Sequence, residues 1–167
     1  GATLLGIAYI PGLFSFLVLL RAWSGRDAAR LPFGAEAGAW AMLSVLLVVW
    51  SVDSAAYFTG KAIGKHKCAP NVSPNKTWEG VFGGLAAASL MGALVTYPLW
   101  GTMGLAWGAG ARVGFGLLFG FAVGAMGIGD GLVKSAMKRE AGVKDFGALL
   151  PGHGGIMDRV DSWIWAV

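Results

Sequence analysis

The 167 residues carry 56% hydrophobic and only 13% charged side chains, against roughly 25% charged in soluble domains, and a mean hydropathy of +0.63 excludes an ordinary water-soluble globule. A formal charge of +4 would suit nucleic acid, but 8 Trp, 28 Gly and long apolar runs point instead to basic loops beside a membrane, with no nucleic-acid partner. The single Cys68 excludes an internal disulfide and a cysteine-based zinc cage.

A transmembrane helix needs about 20 apolar residues, and the chain offers several such runs. The first, Thr3 to Leu20, is followed by Arg21, Arg26 and Arg30. It lacks the leading basic region and trailing cleavage site of a signal peptide, so it reads as a span. The initial Gly in place of Met suggests a processed or truncated product. A second run covers about Ala37 to Phe58 and holds Asp53, a third covers Gly80 to about Leu99, and a fourth covers about Val113 to Val133. A fifth starts near Ser162 and stops at Val167. The expected fold is all-α: a polytopic helical membrane protein of about four complete spans plus the start of a fifth, with two polar loops. One membrane domain, residues 1–167, is expected, with 1–36 as first span and basic loop.

Alternation puts loops 60–79 and 134–161 on one side with nine Lys and Arg, and loops 21–36 and 100–112 on the other with four. The positive-inside rule assigns the richer side to the cytoplasm, and both polar loops then face it. In the fourth run Gly116, Gly120, Gly124, Gly127 and Gly131 share one helical face, as close packing in lipid requires. That face ends at Asp130.

Polar chemistry gathers at the cytoplasmic ends. Asp53 lies within a span, four residues before Tyr57 and on its face; it is either a functional intramembrane group or the partner of a lysine near the surface. Asp130 precedes Lys134 and Lys138 at helical spacing, which also suits a plain ion pair. Asp158 and Asp161 are three apart after a Gly-rich turn. Carboxylates converging from separate elements suit Mg²⁺, which takes oxygen ligands and shares them with substrate phosphates, so Asp130, Asp158 and Asp161 form the candidate metal set. In Ser73-Pro-Asn-Lys-Thr-Trp-Glu-Gly80, Ser73 reads as a helix N-cap with Pro74 at the first helical position. A helix start flanked by Lys76 is either a phosphate site or an ordinary capped end. Gly60 to Lys65 imitates a phosphate-binding loop, but its spacing is one short and His66 stands where Ser or Thr is needed. His153, in a Pro-Gly-His-Gly-Gly turn, is either structural or an acid/base or phosphate donor.

The run from Ser135 through Met137-Lys138-Arg139, Lys144-Asp145, Gly147 and Leu150-Pro151 to His153-Gly154-Gly155-Ile156 and Asp158-Arg159-Val160-Asp161 resembles the signature of phosphatidate cytidylyltransferases, or CDP-diacylglycerol synthases. Asp53 to Tyr57, Ser73 to Gly80 and Gly129-Asp130 resemble upstream elements of that family, in order. The resemblance covers about residues 40 to 165 and makes 37–167 the catalytic region, shortened at its C-terminus relative to the family. It implies a polytopic, Mg²⁺-dependent enzyme of phospholipid biosynthesis, in the bacterial cytoplasmic membrane with its active site facing the cytoplasm. CTP and phosphatidic acid would be condensed there with release of pyrophosphate. It further implies catalytic roles for Asp130, Lys138, Arg139, Lys144, Asp145, His153, Asp158, Arg159 and Asp161. Substrate contacts would come from Asp53, Tyr57, Ser73, Asn75, Lys76, Thr77, Glu79, Gly154 and Gly155. Membrane lipids are expected neighbours, and assembly as a homodimer stays open. The competing class is a transporter or channel using the intramembrane Asp53 and Asp130 for an ion or anionic solute, although no interrupted helices in repeated halves are visible. A lipid-binding module with basic loops is a third.

Overall fold

The computed structural model describes residues 15, 18–22, 37–102, 108–140 and 142. Three long helices and one small hairpin organise them: α1 (Ala37–Ile63), β1 (Lys67–Ala69), β2 (Ser73–Thr77), α2 (Trp78–Thr102) and α3 (Ala109–Glu140). All three helices contain stretches long and apolar enough to cross a membrane, Ala37–Ile63, Trp78–Leu99 and Ala109–Val133. The chain is an integral membrane protein, and three candidate spans are seen among the described residues. The first expected run falls mostly outside those residues, although 18–22 are helical and Leu20 packs on the core. The fifth lies wholly outside them.

The core follows from small and β-branched side chains. Val45, Val48, Val49 and Val52 of α1 meet Ala88 and Val95 of α2 and Val123 of α3. Lipid supplies no hydrophobic force between helices, so close approach has to come from small residues. The glycine face of α3 does this against α2. A Cβ added at Gly116 would lie 2.6 Å from the Ala93 Cα and 2.8 Å from the Thr96 Oγ1, and one at Gly120 would collide with the Ala88 carbonyl oxygen. Further along, Gly124 abuts the Ala88 side chain, at 2.7 Å from an added Cβ, and Gly127 faces Val52 of α1 at 3.8 Å. Gly120→Val is therefore expected to wedge α2 from α3 and cost about 1–3 kcal/mol or more, read as a lowered Tm in detergent against an unchanged Tm for Gly110→Ala, which meets nothing within 4 Å.

Buried hydroxyls in these helices satisfy themselves locally, because lipid offers them no water. The Thr96 Oγ1 donates to the Gly92 carbonyl at 2.7 Å and the Ser44 Oγ to the Trp40 carbonyl at 2.8 Å. The Trp40 indole N–H reaches from α1 to the Val95 carbonyl on α2 at 2.7 Å.

Two expectations need correction. The fold is mostly helical but not all-α, because the 60–79 loop contains an antiparallel hairpin pairing Lys67 with Thr77 and Ala69 with Ser73, with a register shift between. Its turn runs Ala69-Pro70-Asn71-Val72, closed by the Val72 N–H donating to the Ala69 carbonyl at 3.2 Å; Pro70 presets the backbone at the second turn position. Ser73 is accordingly not the cap of α2. Pro74, lacking an N–H, is tolerated in a two-stranded ribbon because each strand has one unpaired edge. The cap is Thr77, whose buried Oγ1 accepts from the Gly80 N–H at 3.2 Å, the Ncap-to-N3 bond. The apolar stretch of α3 ends at Val133 as expected, and the helix itself runs on beyond it. It continues to Glu140 through Ala, Met, Lys, Arg and Glu, all good helix formers, and ends before Gly142, whose φ of 69° is the left-handed conformation that terminates helices.

Candidate functional site

α1 runs toward the hairpin, α2 away from it, and α3 back again, so the hairpin and the C-terminal turns of α3 share one end of the bundle. Packing brings them into contact. The Nζ of Lys76 on β2 makes a long contact, 3.5 Å, with the Ile128 carbonyl on α3. A Cβ at Gly131 would stand 2.6 Å from the same Nζ. The lysine thus lies across the turn of α3 that contains Asp130, over the last glycine of the close-packing face. Asp130 itself is 4% exposed and its Oδ1 is shut off from solvent. The Ser135 Oγ donates to the Gly131 carbonyl at 2.7 Å, tying the beginning of the signature run to the same turn.

The base of the hairpin is seated by glycines. Added Cβ atoms at Gly60 and Gly64 would lie 3.0 and 2.7 Å from the Thr77 Oγ1, and one at Gly80 would lie 2.7 Å from the Ala56 carbonyl. The glycines that imitate a phosphate-binding loop are thus packing residues at the end of α1: they make room for Thr77, which fixes the start of α2 and the position of Lys76 one residue before it. Ser73 is half-buried, while Pro74 and Asn75 are exposed at the tip side.

Glu79, in the first turn of α2, turns toward the hairpin entry. One of its carboxylate oxygens lies 2.6 Å from the His66 Nδ1, and both accept from the His66 backbone N–H at 3.3 Å. The Trp78 N–H donates to the His66 carbonyl at 2.9 Å. In the sequence His66 stands out only as an obstacle to a phosphate loop; the Pro-Asn turn at 70–71 is the available signal for a hairpin that brings His66 beside Glu79.

Asp53 and Tyr57 are exposed on one face of α1, with the Lys61 Nζ 5.8 Å from the centre of the Tyr57 ring. Asp53 directly follows Val52, which faces Gly127 across the α1 and α3 contact, so it stands about one helical turn from the level of Asp130. Lys138 and Arg139 lie on the extension of α3, Arg139 exposed. Lys144, Asp145, His153, Gly154, Gly155, Asp158, Arg159 and Asp161 lie outside the described residues. Among the described residues no group of three or more His, Cys, Asp or Glu comes together.

Chemically, this end of the bundle offers an ammonium lying over a helix turn beside a buried carboxylate, the setting for a phosphate-bearing substrate. As a hard oxygen donor screened from bulk water, Asp130 suits Mg²⁺, which commonly binds through one or two protein carboxylates and completes its shell with substrate phosphates and water.

Comparison with known proteins places the chain in a family. The sequence model of the cytidylyltransferase family matches residues 1–167. The phosphatidate cytidylyltransferase of Haemophilus influenzae is 45% identical over 160 residues, covering 93% of this chain and 54% of its own length. That of Pseudomonas aeruginosa is 40% identical over 154 residues, covering 90% and 52%, and that of Brucella suis is 46% identical over 135 residues, covering 81% and 45%. The chain thus spans about half the length of these curated relatives. Their names give the transport reading no support.

Proposed function

The chain belongs to the cytidylyltransferase family, and on that premise we propose that it carries the catalytic region of an enzyme that condenses CTP with phosphatidic acid in phospholipid biosynthesis. The observation that carries this reading is Lys76 laid across the α3 turn that bears Asp130. A phosphate oxygen of phosphatidic acid attacks the α-phosphorus of CTP; the new P–O bond forms as the bond to the bridging oxygen breaks, and pyrophosphate leaves with the electron pair. Such transfers depend on positioning and charge neutralisation. The nucleophile is already ionised at pH 7, so no strong base is needed, and His153 is assigned to holding the turn or a phosphate oxygen.

Lys76 binds anionic oxygens of the nucleotide, flanked by Ser73, Asn75 and Thr77. Lys138, Arg139, Lys144 and Arg159 hold the remaining phosphate charge, with Asp145, Gly154 and Gly155 shaping the turn around it. Asp130 would hold Mg²⁺ together with Asp158 and Asp161, and the ion would supply charge neutralisation at the phosphates. Asp53 and Tyr57 face the lipid-side approach. The bias of nine basic residues to four supports a cytoplasmic site, where a water-borne nucleotide meets a lipid-borne phosphate. Membrane lipids would cover exposed side chains such as Leu90, Leu94 and Leu118, and a homodimer would cover part of the same surface.

The test is incubation of the purified full-length protein in detergent with phosphatidic acid, labelled CTP and Mg²⁺. Labelled CDP-diacylglycerol is expected, and its absence from folded protein would reject the reading. A finer test uses Gly131→Ala. Its Cβ would occupy space 2.6 Å from the Lys76 Nζ, and the flexible end of the lysine yields before the backbone does. Tm should stay near wild type while kcat/KM for CTP falls about tenfold or more, the scale set by an ångström's misplacement. An unchanged kcat/KM would remove that contact from the site.

A further inference from the structure

The hairpin that presents Lys76 is small, with three residues in β1 and five in β2. A ribbon of two short strands is marginal by itself, so something has to hold its base. Glu79 is placed to do so. It sits on the first turn of α2, directly beyond the exit of the hairpin, and grips His66, directly before the entrance: 2.6 Å to Nδ1 and 3.3 Å from each oxygen to the backbone N–H. The Trp78 N–H to His66 carbonyl bond, 2.9 Å, closes the same junction from the main chain. Both carboxylate oxygens are therefore engaged with His66. The imidazole is mostly exposed, 78%, whereas the Glu79 side chain is 22% exposed, so the histidine side of the pair faces outward.

We propose that Glu79 and His66 form a latch that holds the β1/β2 hairpin in register over α3, making Glu79 a positioning residue that acts through Lys76 instead of a substrate ligand. The proposal rests on the reading that Lys76 binds the nucleotide. Its chemistry predicts a particular pattern of substitutions. Gln at 79 keeps an oxygen that can accept from the His66 N–H or Nδ1–H; Ala keeps none. Glu79→Ala removes every contact with His66, whereas His66→Ala removes the imidazole contact alone and keeps the backbone N–H bond, so the His66 loss should be the smaller and should vanish once residue 79 is Ala.

Cys68, in β1 and partly buried, serves as a built-in reporter of hairpin opening. In the full-length protein, maleimide labelling of Cys68 is followed by mass spectrometry of its peptide, alongside kcat and KM for CTP, in wild type, Glu79→Ala, Glu79→Gln, His66→Ala and the double Ala variant. The latch predicts labelling several-fold faster in Glu79→Ala with kcat/KM lowered about tenfold, and a smaller change in the same direction in His66→Ala. The double variant should be no worse than Glu79→Ala, and Glu79→Gln should stay within about threefold of wild type. Should Glu79→Ala fail to fold, His66→Ala, at an exposed side chain, carries the comparison for the imidazole contact. Unchanged labelling in the Ala variants would overturn the latch. Faster labelling with unchanged turnover would overturn the positioning role, and Glu79→Gln as damaging as Glu79→Ala with a silent His66→Ala would make Glu79 a direct ligand. A wild type inactive on CTP and phosphatidic acid would overturn the positioning role through the functional reading, and the labelling would still decide whether the latch holds the hairpin.

Discussion

Asp130→Asn is expected to lower turnover by about 10²–10³ while the protein still folds. The carboxylate is 4% exposed and stands one residue before the Gly131 that Lys76 overlies. Asn has the same shape and retains one oxygen donor, so packing in α3 is preserved. What goes is the negative charge proposed to offset a divalent ion and phosphate-binding cations, and removal of even a single charge-stabilising group from a site of this kind costs about 10²–10³. The defect should be expressed in Mg²⁺ affinity and be partly relieved by raised Mg²⁺. Initial rates against Mg²⁺ concentration, with size-exclusion profiles as the folding control, measure this. Asp158→Asn should behave alike and Asp161→Asn more mildly, because Asp161, three positions further along the sequence, is proposed to orient Lys138 or Arg139 instead. A near-normal Mg²⁺ response in Asp130→Asn would remove it from the ligand set, and loss of folding would make it a structural group.

Lys76→Met is expected to lower kcat/KM for CTP by about 10²–10³, with the larger part in KM if the ammonium binds ground-state phosphates and in kcat if it acts on charge developing at the leaving pyrophosphate. Met keeps the unbranched stem that crosses to α3, so the hairpin should remain seated and Tm should move little. Lys76→Arg should recover activity only in part: the charge returns, but the broader guanidinium has to fit over Gly131, where an added Cβ would already be 2.6 Å from the lysine Nζ. Initial rates over a CTP series at saturating Mg²⁺ give the division, and full activity in Lys76→Met would detach the hairpin from catalysis.

Much of this organisation was legible because lipid imposes simple rules. The runs expected at Ala37 to Phe58, Gly80 to Leu99 and Val113 to Val133 correspond to α1, α2 and α3. The glycine face anticipated from spacing packs as expected at Gly116 and Gly120, because close approach is the main route to helix association in a membrane. Asp130 was recognisable from sequence as an isolated acid at the end of that face. The hairpin was not. Ser73-Pro74 has the local chemistry of a helix start, and nothing within four residues distinguishes it from Thr77, the cap actually used. The choice is tertiary: Thr77 fits beneath Gly60 and Gly64, and Glu79 finds His66 thirteen residues away. At α3 the apolar run ends at Val133, as expected of the span, because that is where lipid stops, whereas the helix stops where Gly142 turns it.

The measurement that tests the central claim most directly is formation of labelled CDP-diacylglycerol from CTP and phosphatidic acid by the full-length protein, with pyrophosphate counted in the same reaction, in wild type, Lys76→Met and Asp130→Asn. A hairpin lysine and an α3 carboxylate serving one transfer predict one pyrophosphate per lipid product in wild type and near-background product in both variants, all three eluting as folded protein. A folded wild type that forms no product, or variants that keep the wild-type rate, would contradict it.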